Sequence, residues 1–309
     1  MGRTRTLVGG AAGFALVAGV LGVAGPAHVT FQGGEGLLAF VHGGDIYTST
    51  VAGSRHRLTT TGTATDPVWS ADGKRIAYLN GGRLWIMNAD GSKQHRVSKL
   101  SGAGRPAWSP NGRFLAVTAN DAEDSGYAGT LYRVTVKNGS TTTFSSSTNQ
   151  GDPIAVYPKA SAVSWSGDGR EIVSESTTCQ YAGLFENCIG TLTLPAQNAT
   201  NGTESFDHGW GGQPPYGRAF YPSWLPDSSG YVYTELTCPA EYTCDPPKVV
   251  LPDGTKITNA SLGVPSPSGR HVAYVRNDSH PNILVSDMNG DNEQRAAVDA
   301  TDPDWQPTP

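Results

Sequence analysis

The chain has 309 residues, a formal net charge of −5, 16% charged residues, 39 glycines and 4 cysteines. A mildly acidic chain with no Lys/Arg run has no electrostatic footprint for nucleic acid and no attraction to an anionic membrane surface. Its length is ample for one large core, and its glycine, serine and threonine suit many short strands joined by tight turns.

Residues 1–27 read as an export leader. Arg3 and Arg5 form a basic start, Leu7 to Gly25 is apolar and uncharged, and Gly25-Pro-Ala27 offers small residues for cleavage, so the mature chain is expected to begin near His28. The apolar run of about 19 residues approaches the length of a membrane span. Its glycine and alanine make it only mildly hydrophobic, which favours cleavage over an uncleaved anchor. Residues 28–35 are expected to be a short linker and 36–309 one domain. Gly36-Leu-Leu-Ala-Phe-Val-His, Asp45-Ile-Tyr-Thr-Ser and Arg55-His-Arg-Leu then read as three successive strands.

The next stretch is Asp66-Pro-Val-Trp-Ser-Ala-Asp-Gly-Lys-Arg-Ile-Ala-Tyr-Leu-Asn. It reads as a strand, a tight turn at Ala71-Asp-Gly and a second strand, since Asp-Gly between β-rich runs is a strong hairpin signal. Runs at Arg83-Leu-Trp-Ile-Met and His95-Arg-Val-Ser follow, with the turn Asn88-Ala-Asp-Gly-Ser between them. Four short antiparallel strands in about forty residues make one propeller blade.

The unit recurs as Arg105-Pro-Ala-Trp-Ser-Pro-Asn-Gly, Val163-Ser-Trp-Ser-Gly-Asp-Gly and Tyr221-Pro-Ser-Trp-Leu-Pro-Asp-Ser-Ser-Gly. In Gly263-Val-Pro-Ser-Pro-Ser-Gly, Pro265 replaces the tryptophan, and the last copy, Asp302-Pro-Asp-Trp-Gln-Pro, is cut short. The truncated copy supplies the first strand that the N-terminal blade lacks. The expected fold is therefore an all-β, six-bladed β-propeller, closed by the C-terminal strand pairing into the first blade and leaving no free sheet edge at the seam.

These repeats resemble the WD40-like (PD40) repeats of the TolB family, with their P-x-W-S-P-D-G signature. The resemblance covers roughly residues 36 to 306, and nothing matches the separate N-terminal domain that TolB carries before its propeller. It implies an exported, non-catalytic propeller that binds a protein or peptide partner of the cell envelope at its channel mouth.

Sorting the connections by face locates the candidate site. The turns between first and second strands are short throughout. Asp121 to Ala128, the two cysteine loops, and the crossovers Ser147 to Ala160 and Phe206 to Arg218 are long, and all are expected on the opposite face. Long loops on one face of a rigid scaffold are where binding usually resides. The crossover Asp207-His-Gly-Trp-Gly-Gly-Gln-Pro-Pro-Tyr-Gly offers His208, Trp210 and Tyr216, whose rings either form a stacking surface or cap the blade beneath. The inner strands begin on this face, so Asp66, Arg105, Ala162, Tyr221, Leu262 and Asp302 are expected to ring the channel mouth. Asp66 and Asp302 together would suit a hard cation such as Ca2+, and Arg105 would otherwise neutralise them. Asp72, Asp168 and Asp227 lie in the short turns and read as turn residues.

An even number of cysteines behind a leader argues for disulfides, Cys179 with Cys188 and Cys238 with Cys244. The spacings do not suit a zinc site. There is no G-x-S-x-G elbow, H-E-x-x-H or phosphate-binding loop. The expectation is a monomeric, secreted binding module with no cofactor. The alternative is a carbohydrate-active or Ca-dependent lyase or hydrolase with its site at the same mouth.

Overall fold

The structure is a computed structural model that describes residues 31–51, 53–119, 129–146, 155–156, 162–176, 180–181, 184–185, 188–196, 199–207, 216–239 and 244–309. Six antiparallel blades surround a central channel. Blade one joins Thr301–Thr308 to Gly34–His42, Asp45–Ser49 and His56–Arg57. Blade two is Ala64–Trp69, Arg75–Asn80, Arg83–Asn88 and His95–Arg96, and blade three Ala107–Trp108, Phe114–Ala119, Gly129–Thr135 and Thr141–Thr143. Blade four comprises Val163–Trp165, Glu171–Ser176, Cys188–Thr193 and Asn201–Asp207, blade five Tyr216–Trp224, Tyr231–Cys238, Lys248–Val250 and Lys256–Thr258. Blade six is Ala260–Pro265, His271–Arg276, Asn282–Asp287 and Gln294–Val298. Among the described residues no helix is long and apolar enough to cross a membrane.

The repeat signature acts through its serine. Ser70, Ser109, Ser166 and Ser266 are fully buried beside their anchors. The hydroxyls of Ser70, Ser109 and Ser166 donate to Asp72, Asn111 and Asp168 across the turn at 2.6, 2.9 and 2.7 Å. Each also accepts the backbone N–H five residues on, from Arg75, Phe114 and Glu171, at 2.9 to 3.0 Å. The aspartates of the repeats are turn residues. Burial pushes Asp72 up, but the bonds from Ser70 and from the Lys74 N–H outweigh it and hold the carboxyl below its ordinary range.

Closure follows from the last copy of the repeat. Thr301–Thr308 pairs antiparallel with Gly34–His42, with Trp305 opposite Leu38 and Thr308 opposite Gly34. Gln306 fastens it on both sides, donating to Gly73 O at 2.8 Å and accepting from the Leu37 N–H at 3.2 Å. Trp69, Trp108, Trp165 and Trp305 are all buried at the inner ends of their blades, each 3% exposed or less. Arg75 stacks over the Trp108 ring at 4.6 Å and ties blade two to blade three.

Three expectations change. The first strand begins at Gly34, inside the expected linker, because Thr308 extends the closing strand to meet it. Ala155–Val156, expected within a loop, forms a short strand bridging blades three and four into one sheet. Tyr216 opens the inner strand of blade five opposite Cys238, so it belongs to a strand and not to the crossover. The Cys238–Cys244 disulfide is formed. Cys179 lies outside the described residues, and with it the Cys179–Cys188 pairing; so do His208, Trp210, the loop 121–128 and most of the crossover 147–160.

Candidate binding site at the channel mouth

The position three residues before the anchor lies within the inner strand in blades two, five and six and in the closing strand. At Asp66, Tyr221, Leu262 and Asp302 the backbone is left-handed, with φ of 52°, 54°, 55° and 53°. Each lies at a break in register between the two innermost strands of its blade. Such a bulge re-aims a side chain and bends the strand. A left-handed non-glycine residue costs about 1 kcal/mol or more. Repetition of that strain in four blades marks the mouth as a built feature, and strain of this kind clusters at functional sites.

The mouth residues from five blades sense one another. Tyr221, in blade five, is pushed up to about 12 by burial, then by the charges of Glu175, Asp302 and Asp66, against the opposing pull of Arg105. Burial raises Asp302 to about 7; Asp66 adds to this, and Arg105 and a hydrogen bond from Thr301 oppose it. The four expected mouth residues Asp66, Arg105, Tyr221 and Asp302 are thus neighbours. Arg105 is committed: its guanidinium donates to Pro303 O at 2.7 Å and stands 3.6 Å from Asp304, so it straps blade three to the closing strand.

Two carboxylates escaped the sequence reading. Asp304 stands where other inner strands carry Val68, Ala107 or Val264. It accepts the Trp69 N–H at 2.7 Å, and burial raises it to about 6. Glu175, 4% exposed, stands where blades three and five have the buried Thr118 and Thr234. It accepts the Tyr221 N–H at 2.9 Å, as Thr234 accepts the Leu262 N–H at 3.1 Å. Burial lifts Glu175 to about 7, against the N–H groups of Tyr221 and Ala162. The signal in each case is a carboxylate in a strand position that the other repeats fill with apolar or hydroxyl side chains.

Inside the mouth is a narrow cavity of about 70 Å³, lined by Trp69, Arg105, Tyr221, Asp304, Trp305 and, from the N-terminal segment, Phe31. Phe31 is only 8% exposed and packs in the cluster that holds Val68, Trp108 and Trp165. Nothing in its local sequence marked it, because its burial depends on the channel rather than on a strand pattern. Among the described residues no three His, Cys, Asp or Glu side chains are grouped to hold a metal ion.

The chain matches no protein-family model. Over 73 residues it is 40% identical to the Tol-Pal system protein TolB of Alcanivorax borkumensis, a match covering 20% of this chain and 17% of that protein. The similarity therefore spans less than a fifth of that curated relative. TolB from Acinetobacter baumannii has a similar structure, with a TM-score of 0.64 and 14% identity over 88% of this chain and 67% of that one. A putative TolB from Agrobacterium tumefaciens gives a TM-score of 0.54 and 17% identity over 85% and 89% of the two chains. An oligogalacturonate lyase in complex with manganese shares the fold at a TM-score of 0.51, with 14% identity over 82% of this chain and 70% of that one. These likenesses show the fold: a six-bladed β-propeller similar to those of the TolB structures.

Proposed function

We propose that this propeller is an exported, non-catalytic binding module that grips a protein or peptide partner of the cell envelope at its channel mouth. One observation carries the reading: side chains from five blades come together at one end of the channel, and Asp66, Tyr221 and Asp302 among them stand on bulged, left-handed backbone. A rigid, polar rim around a narrow opening suits an extended segment presenting charged and hydrogen-bonding groups. The Cys238–Cys244 loop lies on the same face, as the pairing of Tyr216 with Cys238 requires.

The test is capture from an envelope extract by the exported protein and by an Asp66→Ala/Tyr221→Ala variant. These two positions leave the strap from Arg105 to the closing strand intact. A protein retained by the first and lost from the second is the expected result; equal capture by both, or by neither, refutes binding at the mouth. The carbohydrate-active alternative is favoured by one feature, the Asp302 carboxyl near 7, where a general acid serves neutral-pH chemistry. Turnover of an acidic oligosaccharide that disappears in Asp302→Asn would put catalysis in place of binding.

A further inference from the structure

Blade three lacks the turn carboxylates of its neighbours. Its two tight turns carry Asn111 and Asn138, where other blades carry Asp72 and Asp168 or Asp90 and Asp253. The turn geometry is the same. Asn111 Oδ1 accepts the Arg113 N–H at 3.0 Å, as Asp72 accepts that of Lys74 at 3.2 Å. Asn138 Oδ1 accepts the Ser140 N–H at 3.1 Å, as Asp90 accepts that of Ser92 at 2.9 Å. Only the negative charge is gone. From Gly91 to Ser146 the described residues include no Asp or Glu, while Arg96, Lys99, Arg113 and Lys137 are exposed. None of these cations pairs with a carboxylate among the described residues, whereas Arg57, Lys256 and Arg276 of other blades pair with Asp45, Glu235 and Glu293.

A groove of about 610 Å³ lies on the flank where blade two meets blade three. Blade two and its crossover contribute Arg96, Lys99 and Ser101, and blade three contributes Asn138, Ser140 and Thr141. The groove is as large as an ordinary ligand cleft. Its walls are pinned together. A Cβ on Gly139 would stand 2.1 Å from Val97 O, so the turn of blade three sits directly on the backbone of blade two. Arg96 Nε donates to Ser98 O at 2.6 Å, and Ser98 itself lines the groove, so the guanidinium is held at the wall.

We propose that this flank groove docks an acidic polysaccharide, a glycan with a carboxylate on each sugar. Charge selects an anion, because Arg96 and Lys99 line the groove and no carboxylate does. Arginine and lysine bind carboxylates through charge-assisted hydrogen bonds. The rest of the lining selects a hydroxylated chain, since Ser101, Asn138, Ser140 and Thr141 offer hydroxyl and amide groups. No aromatic side chain lines the groove, and its apolar residues, Val97 and Leu100, are half-buried. A peptide would lack an aromatic anchor there, and a bilayer would find no apolar side chain to take up. The formal charge of −5 disfavours a dense polyanion such as a nucleic acid, with a charge every 1.7 Å or so. One carboxylate on each sugar is far sparser. The groove shares no residue with the channel mouth, so this inference is independent of the partner proposed for that site.

The experiment measures binding of the whole chain to immobilised polygalacturonate in about 50 mM salt, where exposed charges are weakly screened. Neutral dextran, double-stranded DNA, polyglutamate and vesicles of an anionic lipid are run beside it. Polygalacturonate is expected to bind most tightly, and more weakly as salt is raised. Arg96→Glu/Lys99→Glu is expected to weaken that binding about tenfold or more. Arg96→Lys/Lys99→Arg is expected to keep it, and so is Arg270→Glu/Arg295→Glu, which makes the same change of charge on blade six. Should the first pair fail to fold, Lys99→Glu alone decides. The proposal is overturned if polygalacturonate does not bind, or if dextran, DNA, polyglutamate or the vesicles bind as tightly. It is equally overturned if the groove reversal leaves binding unmoved, or if the blade-six reversal weakens it as much. The mouth and its partner do not enter this assay, so its failure is distinct from a failure of the capture experiment.

Discussion

Ser109 holds both ends of a turn with one hydroxyl, donating to Asn111 Oδ1 and accepting the Phe114 N–H, while 1% exposed. Removing it strands a buried N–H, which costs about 1–3 kcal/mol. Ser109→Ala is therefore expected to lower unfolding stability by that amount in urea titration, with an unchanged denaturant slope; a change below about 0.5 kcal/mol would show that the hydroxyl is replaceable by solvent. This residue was legible in the sequence, because the serine recurs at one offset from the anchor and its neighbours are turn formers. Glu175 was not. Its meaning depends on the N–H groups of Tyr221 and Ala162, which only blade packing brings to it.

The closing strand was equally legible as an element. Asp302-Pro-Asp-Trp is a repeat without its continuation, and the first blade lacked a strand. The bulges were hidden, since a residue before proline is biased away from helical conformations towards extended ones. Asp66, Tyr221 and Asp302 each precede a proline and are nonetheless left-handed. The pairing of the inner strand overrides the local preference there. Ala155–Val156 was hidden for a different reason: two residues carry no period, and only the neighbouring blades make them a strand. Because Trp305 is the buried anchor of the seam, packed with Leu38 and Phe40 of blade one and Val264 and Ala273 of blade six, Trp305→Ala empties the joint between those blades. The expected loss is about 3–5 kcal/mol, measured by urea unfolding. A loss near that of an exposed substitution would mean that the ring does not depend on this joint.

For the whole ring, the consequence of the mouth is a pH dependence shared by several blades. Glu175 and Asp302 are raised to about 7 and Asp304 to about 6, with burial the largest cause in each. Unfolded, such groups titrate near 4. Between pH 4 and 7 the folded chain therefore binds more protons than the unfolded one, and stability falls as pH rises through that window. Carboxyls held low work in the opposite sense. In Asp45, burial is outweighed by bonds from the Gly62 N–H, Arg57 and Thr59, and the stability it contributes is lost as pH falls through its depressed value. Together they place the stability maximum in mildly acid solution. Glu175→Gln keeps an acceptor for the Tyr221 N–H and removes the ionisation. It is expected to raise the melting temperature at pH 8, to change it little at pH 5, and to flatten the decline between. A variant that melts in parallel with the parent at every pH would show that Glu175 does not ionise in the folded ring. The seam carboxylates of blade one would then have to supply the whole dependence, which Asp304→Asn would isolate.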